Sequence, residues 1–98
     1  ERERILSGDY SYCDIANFIQ NDLGFSRIET KEILNKSAMM CWIFKKPTIY
    51  VIELDNFLKR KYPEYKDDMS LNDFLKTKYS DEQIKIIKKI CGVLKENR

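Results

Sequence analysis

Hydrophobic and polar residues alternate along much of this chain with the period of an α-helix. Between residues 12 and 23 the apolar positions recur every three or four residues, and this spacing places them on one helical face. Ser11 precedes the run as an N-cap, and Gly24 follows it as a stop. The pattern therefore predicts an amphipathic helix over Cys13–Leu23, after a shorter helix that ends at Gly8.

A further helix is predicted almost immediately after the turn at Gly24. Ser26 and Glu29 have the spacing of a capping box, in which each side chain bonds the backbone N–H of the other residue. The helix that they open is predicted to run to about Ala38 or Met39. Two helices joined by a tight turn that contains glycine form a helix-turn-helix.

Residues that favour β-structure are concentrated in Cys41–Ile52, which also contains the single tryptophan, Trp42. Two short apolar runs, Cys41–Phe44 and Thr48–Ile52, flank the polar break Lys45-Lys46-Pro47. Runs of this kind around such a break are typical of a β-hairpin. We therefore predict a hairpin that packs on the first two helices and buries the tryptophan.

The C-terminal part of the chain is predicted to form three more helices, over Glu53–Lys61, Leu71–Lys78 and Asp81 to about Lys95. Ser70 is the predicted N-cap of the second, and Ser80 with Gln83 has the spacing of a capping box at the start of the third. The apolar face of the last helix is unusually wide and needs two surfaces to cover it. Its two rows are Ile84, Ile87, Cys91 and Leu94 on one side and Ile86, Ile90 and Val93 on the other. We predict that the row Ile86, Ile90 and Val93 is exposed and binds a partner or a second copy. The alternative is that this helix only closes the domain's own core.

These elements predict one small domain that is mainly α with one β-hairpin. A chain of 98 residues with 43% apolar content is large enough to fold around one core. Residues 10–62 would form a winged-helix-like unit, that is, a helix-turn-helix with a hairpin and the helix after it. Residues 69–98 would add a C-terminal helical extension.

Composition excludes several classes of function. The chain has no His, and its three cysteines are not in a metal-ligand spacing, so no metal or cofactor is expected. It also has no glycine-rich phosphate loop and no nucleophile beside a base, so we expect a protein that is not an enzyme. No run reaches the length of a membrane span, and no signal peptide is visible. We therefore expect an intracellular protein with no membrane partner.

The helix-turn-helix residues carry a resemblance to a known family. About half of the chain resembles the excisionase and MerR-like winged-helix DNA-binding proteins. The helix-turn-helix part of the resemblance is in the runs Asp14-Ile15-Ala16, Leu23-Gly24-Phe25-Ser26-Arg27 and Lys31-Glu32-Ile33-Leu34. The hairpin and the helix after it correspond to Trp42-Ile43, Ile49-Tyr50-Val51 and Leu54-Asp55-Asn56-Phe57-Leu58. This resemblance implies that the second helix of the pair enters the major groove of duplex DNA. It departs from the family pattern at Glu29 and Glu32, which lie on that helix, and over the last thirty residues.

Two functional hypotheses follow. If the resemblance holds, the chain binds duplex DNA through the second helix and the hairpin tip, with Arg27, Thr30, Lys31, Asn35, Lys45 and Lys46 as the contacting residues. The net charge is only +2, so such contacts would be local rather than spread over the surface. The alternative is a non-catalytic protein-interaction or dimerisation module that uses the C-terminal helix.

Overall fold

The computed structural model describes residues 2–92, and it confirms that the domain is mainly helical. Within this range the elements in chain order are α1 (Arg2–Ser7), α2 (Tyr12–Asn21), α3 (Arg27–Lys36), α4 (Ala38–Phe44), β1 (Ile49–Tyr50), α5 (Val51–Lys61), α6 (Leu71–Lys78), α7 (Asp81–Ile90) and β2 (Cys91–Gly92).

Serine side chains begin four of these helices, as the sequence predicts. Ser26 and Glu29 form the predicted capping box at α3, and Ser80 and Gln83 form the predicted one at α7. Ser11 caps α2 in the same reciprocal way, and Ser70 caps α6 by accepting from a backbone N–H. Each cap satisfies backbone donors that the first turn of a helix leaves without partners.

One continuous hydrophobic core joins the N-terminal and C-terminal helices. It extends along the chain from Ile5 in α1 to Ile90 in α7 and includes the stacked pair Phe25 and Phe57. Helix α7 packs against α1 and α6, so two elements of the domain itself cover its wide apolar face. The C-terminal helices therefore belong to the same core as α2 and α3.

The prediction that Ile86 and Ile90 form an exposed row is wrong. Both are fully buried in the core, together with Ile84 and Ile87 on the same helix. The domain's own helices cover the whole width of this face, which is the alternative that the sequence left open. The third member of the row, Val93, lies outside the described residues.

The predicted hairpin is also wrong, because its first strand is a helix. Residues 38–44 form α4, which ends at Lys45 in the left-handed conformation with φ of 61°. The Lys45 N–H donates to the Cys41 carbonyl there. Pro47 then follows two residues later, a common arrangement after a helix end. The polar break therefore stops a helix instead of turning a strand.

The strand that does form pairs with a distant segment. Ile49 and Tyr50 lie parallel to Cys91 and Gly92, so the partner of β1 comes from the end of α7. The prediction that α7 continues to about Lys95 is wrong at Cys91 and Gly92, where the backbone is extended, and the rest of that predicted span lies outside the described residues. Gly92 is the sequence signal for this stop, because glycine favours helix ends over helix interiors.

Candidate functional site

Residues 22–26 join α2 to α3 through a turn at Gly24. Gly24 adopts φ of 80°, a region that glycine enters without steric cost. Across it the Phe25 N–H donates to the Ile19 carbonyl at 3.2 Å. Phe25 is buried and stacks on Phe57 of α5, with 5.3 Å between ring centroids. This contact fixes where the chain enters α3.

The acidic side chains of α3 lie on the side that faces α5. Glu29 pairs with Lys61 at 3.0 Å, and Glu32 pairs with Arg60 at 3.3 Å and with Lys36 at 3.2 Å. The Ser26 backbone N–H, together with Lys61, lowers the pKa of Glu29. The hydrogen bonds from Lys36 and Arg60 lower the pKa of Glu32. Both carboxylates are therefore ionised at neutral pH and are neutralised within the domain.

The opposite side of α3 presents the outer row, which we define as Arg27, Lys31 and Asn35. These residues are four apart, and all three are exposed. Neither Arg27 nor Lys31 forms an ion pair within the described residues. The structure thus brings three of the predicted DNA-contacting residues onto one open, acid-free side of the helix.

Thr30 does not belong to this side, and its prediction as a contact is wrong. It is buried, and its hydroxyl donates to the Ser26 carbonyl at 2.8 Å. Lys45 and Lys46 are exposed as predicted, but they follow a helix end and not a hairpin tip. One residue, Ser37, separates α3 from α4, and these lysines follow the far end of α4.

Helix α4 exposes large apolar side chains, and the prediction that Trp42 is buried is wrong. Trp42 is 74% exposed, Met39 70% and Ile43 50%. Their spacing of three and four residues places them together on one side of the helix, and we call them the α4 face. The Lys45 ammonium lies 5.1 Å from the centroid of the Trp42 ring. This is an aromatic side chain that the domain's own core does not cover.

The inner side of α4 is held firmly against the domain. Ser37 is buried, and its hydroxyl accepts from the Tyr50 N–H at 2.9 Å. The Cys41 thiol both accepts from the Thr48 N–H and donates to the Thr48 carbonyl, each at 3.2 Å. A hydrogen bond with Cys41 also raises the pKa of Tyr12 to about 12. The hydrogen bonds of Ser37 and Cys41 tie α4 to residues 48–50 and fix which side faces outward.

Comparisons with protein-family models, curated proteins and solved structures found no match to this chain. Within residues 2–92, no cluster of three or more His, Cys, Asp or Glu side chains could hold a metal ion. Over the same residues, the helices are too short or too polar for any of them to cross a membrane.

The α4 face is the part of the site that the sequence analysis missed. The run Ala38–Phe44 is apolar at every position, so its pattern contains no polar side that would show which residues point outward. The spacing of Met39, Trp42 and Ile43 indicates a shared exposed side only if the segment is known to be a helix.

Proposed function

We propose that this domain is a non-catalytic module that binds duplex DNA through the outer row of α3. The single observation that supports this best is the disposition of charge on α3. Glu29 and Glu32 pair with Lys61 and Arg60 of α5, so neither carboxylate repels a phosphate on the outer side. Glu29 and Glu32, which depart from the pattern of a basic recognition helix, thus stabilise the domain and leave the outer row accessible to DNA.

The geometry gives each residue of the outer row a role in this proposal. Arg27 at the start of α3 and Lys31 one turn later would meet phosphates or guanine edges, and Asn35 would reach an adenine edge in the major groove. Lys45 and Lys46 would add backbone contacts beyond the end of α4. If Arg27, Lys31, Lys45 and Lys46 each contact a phosphate, a plot of the logarithm of the binding constant against the logarithm of the salt concentration would have a slope of about −3.6.

The test is fluorescence anisotropy of a labelled mixed-sequence duplex at low salt, with the double variant Arg27→Ala/Lys31→Ala. We expect at least a tenfold loss of affinity and a salt slope shallower by about 1.8, because two phosphate contacts disappear. The matched control is Lys85→Ala/Lys89→Ala on α7. These lysines are also exposed and four residues apart, so this variant removes the same charge from another helix.

The control should bind nearly as well as the unmodified chain. Equal losses in both variants would show that binding follows total charge and not α3. No binding by the unmodified chain at low salt would refute the proposal.

A further inference from the structure

The α4 face is the largest group of exposed apolar side chains on one element within residues 2–92. Met39, Trp42 and Ile43 together expose on the order of 400 Å², which is within the range of functional apolar patches on monomers. Duplex DNA presents a charged backbone and polar groove edges, so binding through the outer row of α3 does not account for this face. A second ligand, which would share Lys45 and Lys46 with DNA, would account for it.

We propose that the α4 face docks an amphipathic helix of a partner protein whose polar residues are acidic. Trp42 would be the central anchor, and Met39 and Ile43 would flank it. Apolar residues three and four positions apart are the spacing by which amphipathic helices bind apolar surfaces. Lys45 and Lys46 would pair with carboxylates at the edge of that helix. Tryptophan and methionine are enriched in such interfaces, and tryptophan is a frequent hot spot.

Charge determines the class of partner. Residues 33–52, which include all of α4, contain three lysines and no carboxylate. Two of these, Lys45 and Lys46, stand at the end of the helix that bears the face. An acidic helix would complement them, whereas a basic helix would meet like charges, which costs affinity and slows association.

The face is also rigid before any partner arrives. The hydroxyl of Ser37 and the thiol of Cys41 hold the inner side of α4 to residues 48–50. Met40 is buried beneath the helix. A preformed docking surface loses little conformational entropy on binding, which favours affinity.

A second copy of this chain is a poorer occupant. Two α4 faces packed on each other would bury about as much area as the proposed helix would, roughly 800 Å² in total, so charge and not area decides between the two occupants. Extending the contact would bring Lys45 and Lys46 of each copy into a region with no carboxylate nearby in sequence. Repulsion between those lysines opposes self-association.

The single tryptophan provides a direct assay. The probe is a designed helical peptide without aromatic residues, with leucines three and four residues apart on one face and glutamates elsewhere. Two further peptides carry glutamine or lysine in place of every glutamate. We expect the acidic peptide to shift Trp42 emission to shorter wavelength saturably and to bind at least tenfold more tightly than the glutamine peptide. The lysine peptide should not bind.

Variants identify the face and the charges separately. Met39→Ser/Ile43→Ser keeps the reporter and should abolish binding, whereas Lys45→Gln/Lys46→Gln should remove the preference for the acidic peptide. The matched control is Ile52→Ser on α5, since Ile52 is 46% exposed and Ile43 is 50% exposed. Circular dichroism of each variant should be unchanged, because all of these side chains are on the surface.

Each other outcome overturns the proposal in a defined way. Equal binding of the acidic and glutamine peptides would show an apolar site without charge selection. A Trp42 shift with vesicles of phosphatidylcholine and phosphatidylserine, but with no peptide, would assign the face to a membrane surface. A dimer in sedimentation equilibrium that Met39→Ser/Ile43→Ser disrupts would assign it to a second copy. Quenching of Trp42 by oligothymidine alone would assign it to single-stranded DNA, and no response to any probe would refute docking.

Discussion

Replacing the buried Ile86 should destabilise this domain far more than replacing the larger Trp42. Ile86 is fully buried in the core, and truncating an isoleucine to alanine in such a place costs about 2–5 kcal/mol through lost transfer energy and the remaining cavity. Trp42 is 74% exposed, and a surface substitution of this kind changes stability by about 0.5 kcal/mol or less. The order of the two effects is therefore the reverse of the order of side-chain size.

The difference is large enough to measure easily. A domain of this length has a total stability of about 5–15 kcal/mol, so Ile86→Ala removes a sizeable fraction of it. At about 4–8 °C per kcal/mol, the melting temperature should fall by more than ~8 °C, whereas Trp42→Ala should move it by less than ~4 °C. Circular dichroism at 222 nm follows both variants, since it does not depend on the tryptophan.

A melting temperature for Trp42→Ala below that of Ile86→Ala would refute the assignment of α7 as core and of α4 as a surface helix. The double variant Ile86→Lys/Ile90→Lys sharpens the same point. It should not fold, because it places two charges in a dry core without partners.

Three further predictions concern the contacts that position the site. Ser37→Ala should cost about 1–3 kcal/mol in urea unfolding, because the partly buried Tyr50 N–H loses its acceptor; Ser7→Ala is the exposed control and should cost less, because water can replace the hydrogen bonds of Ser7 with Arg4 and Asp9. Gly24→Ala should cost about 1–2 kcal/mol although a Cβ would meet open space, since φ of 80° is strained for alanine; Gly24→Asn should recover part of the loss, and a neutral Gly24→Ala would contradict this. The lowered pKa of Glu29 means that its contribution to stability is present above about pH 4.5 and is lost as pH falls through the lower folded pKa. The difference in unfolding free energy between the unmodified chain and Glu29→Gln should therefore shrink on acidification, and a difference that grew would reverse the sign of the argument.

Most of the helices can be predicted from the sequence because the signals that begin them act within a single helical turn. The serine caps at Ser11, Ser26, Ser70 and Ser80 satisfy backbone donors within their own first turns, and so the sequence alone indicates where these helices begin. The prediction fails at α4, where aromatic and β-branched residues favour a strand by propensity. The hydrogen bonds of Cys41 with Thr48 and of Ser37 with Tyr50 stabilise the helix instead. They join residues 7 and 13 positions apart, which a local sequence pattern does not reveal.

The candidate site shows the same division. Arg27, Lys31 and Asn35 are predicted correctly as one exposed row, because their spacing of four residues is a property of α3 itself. The burial of Thr30 depends on packing against the rest of the domain, and so does the burial of Ile86. Thr30 lies three and four residues before Ile33 and Leu34, so periodicity places it on the inward face and only its polar character suggests an outward one. Ile86 lies at the edge of its apolar face, where periodicity alone does not decide burial.

The parallel pairing of β1 with β2 also bears on the order in which this domain assembles. It joins residues about 40 positions apart, Ile49 with Cys91 and Tyr50 with Gly92, and the chain between them consists largely of α5, α6 and α7. Closing so long a loop costs entropy before the pairing returns any stabilisation, and contacts of high sequence separation slow folding. The pairing should therefore form after α7 has docked on α1 and should be among the first contacts to open. Because the Tyr50 N–H also donates to the Ser37 hydroxyl, one residue joins this late pairing to the support beneath α4.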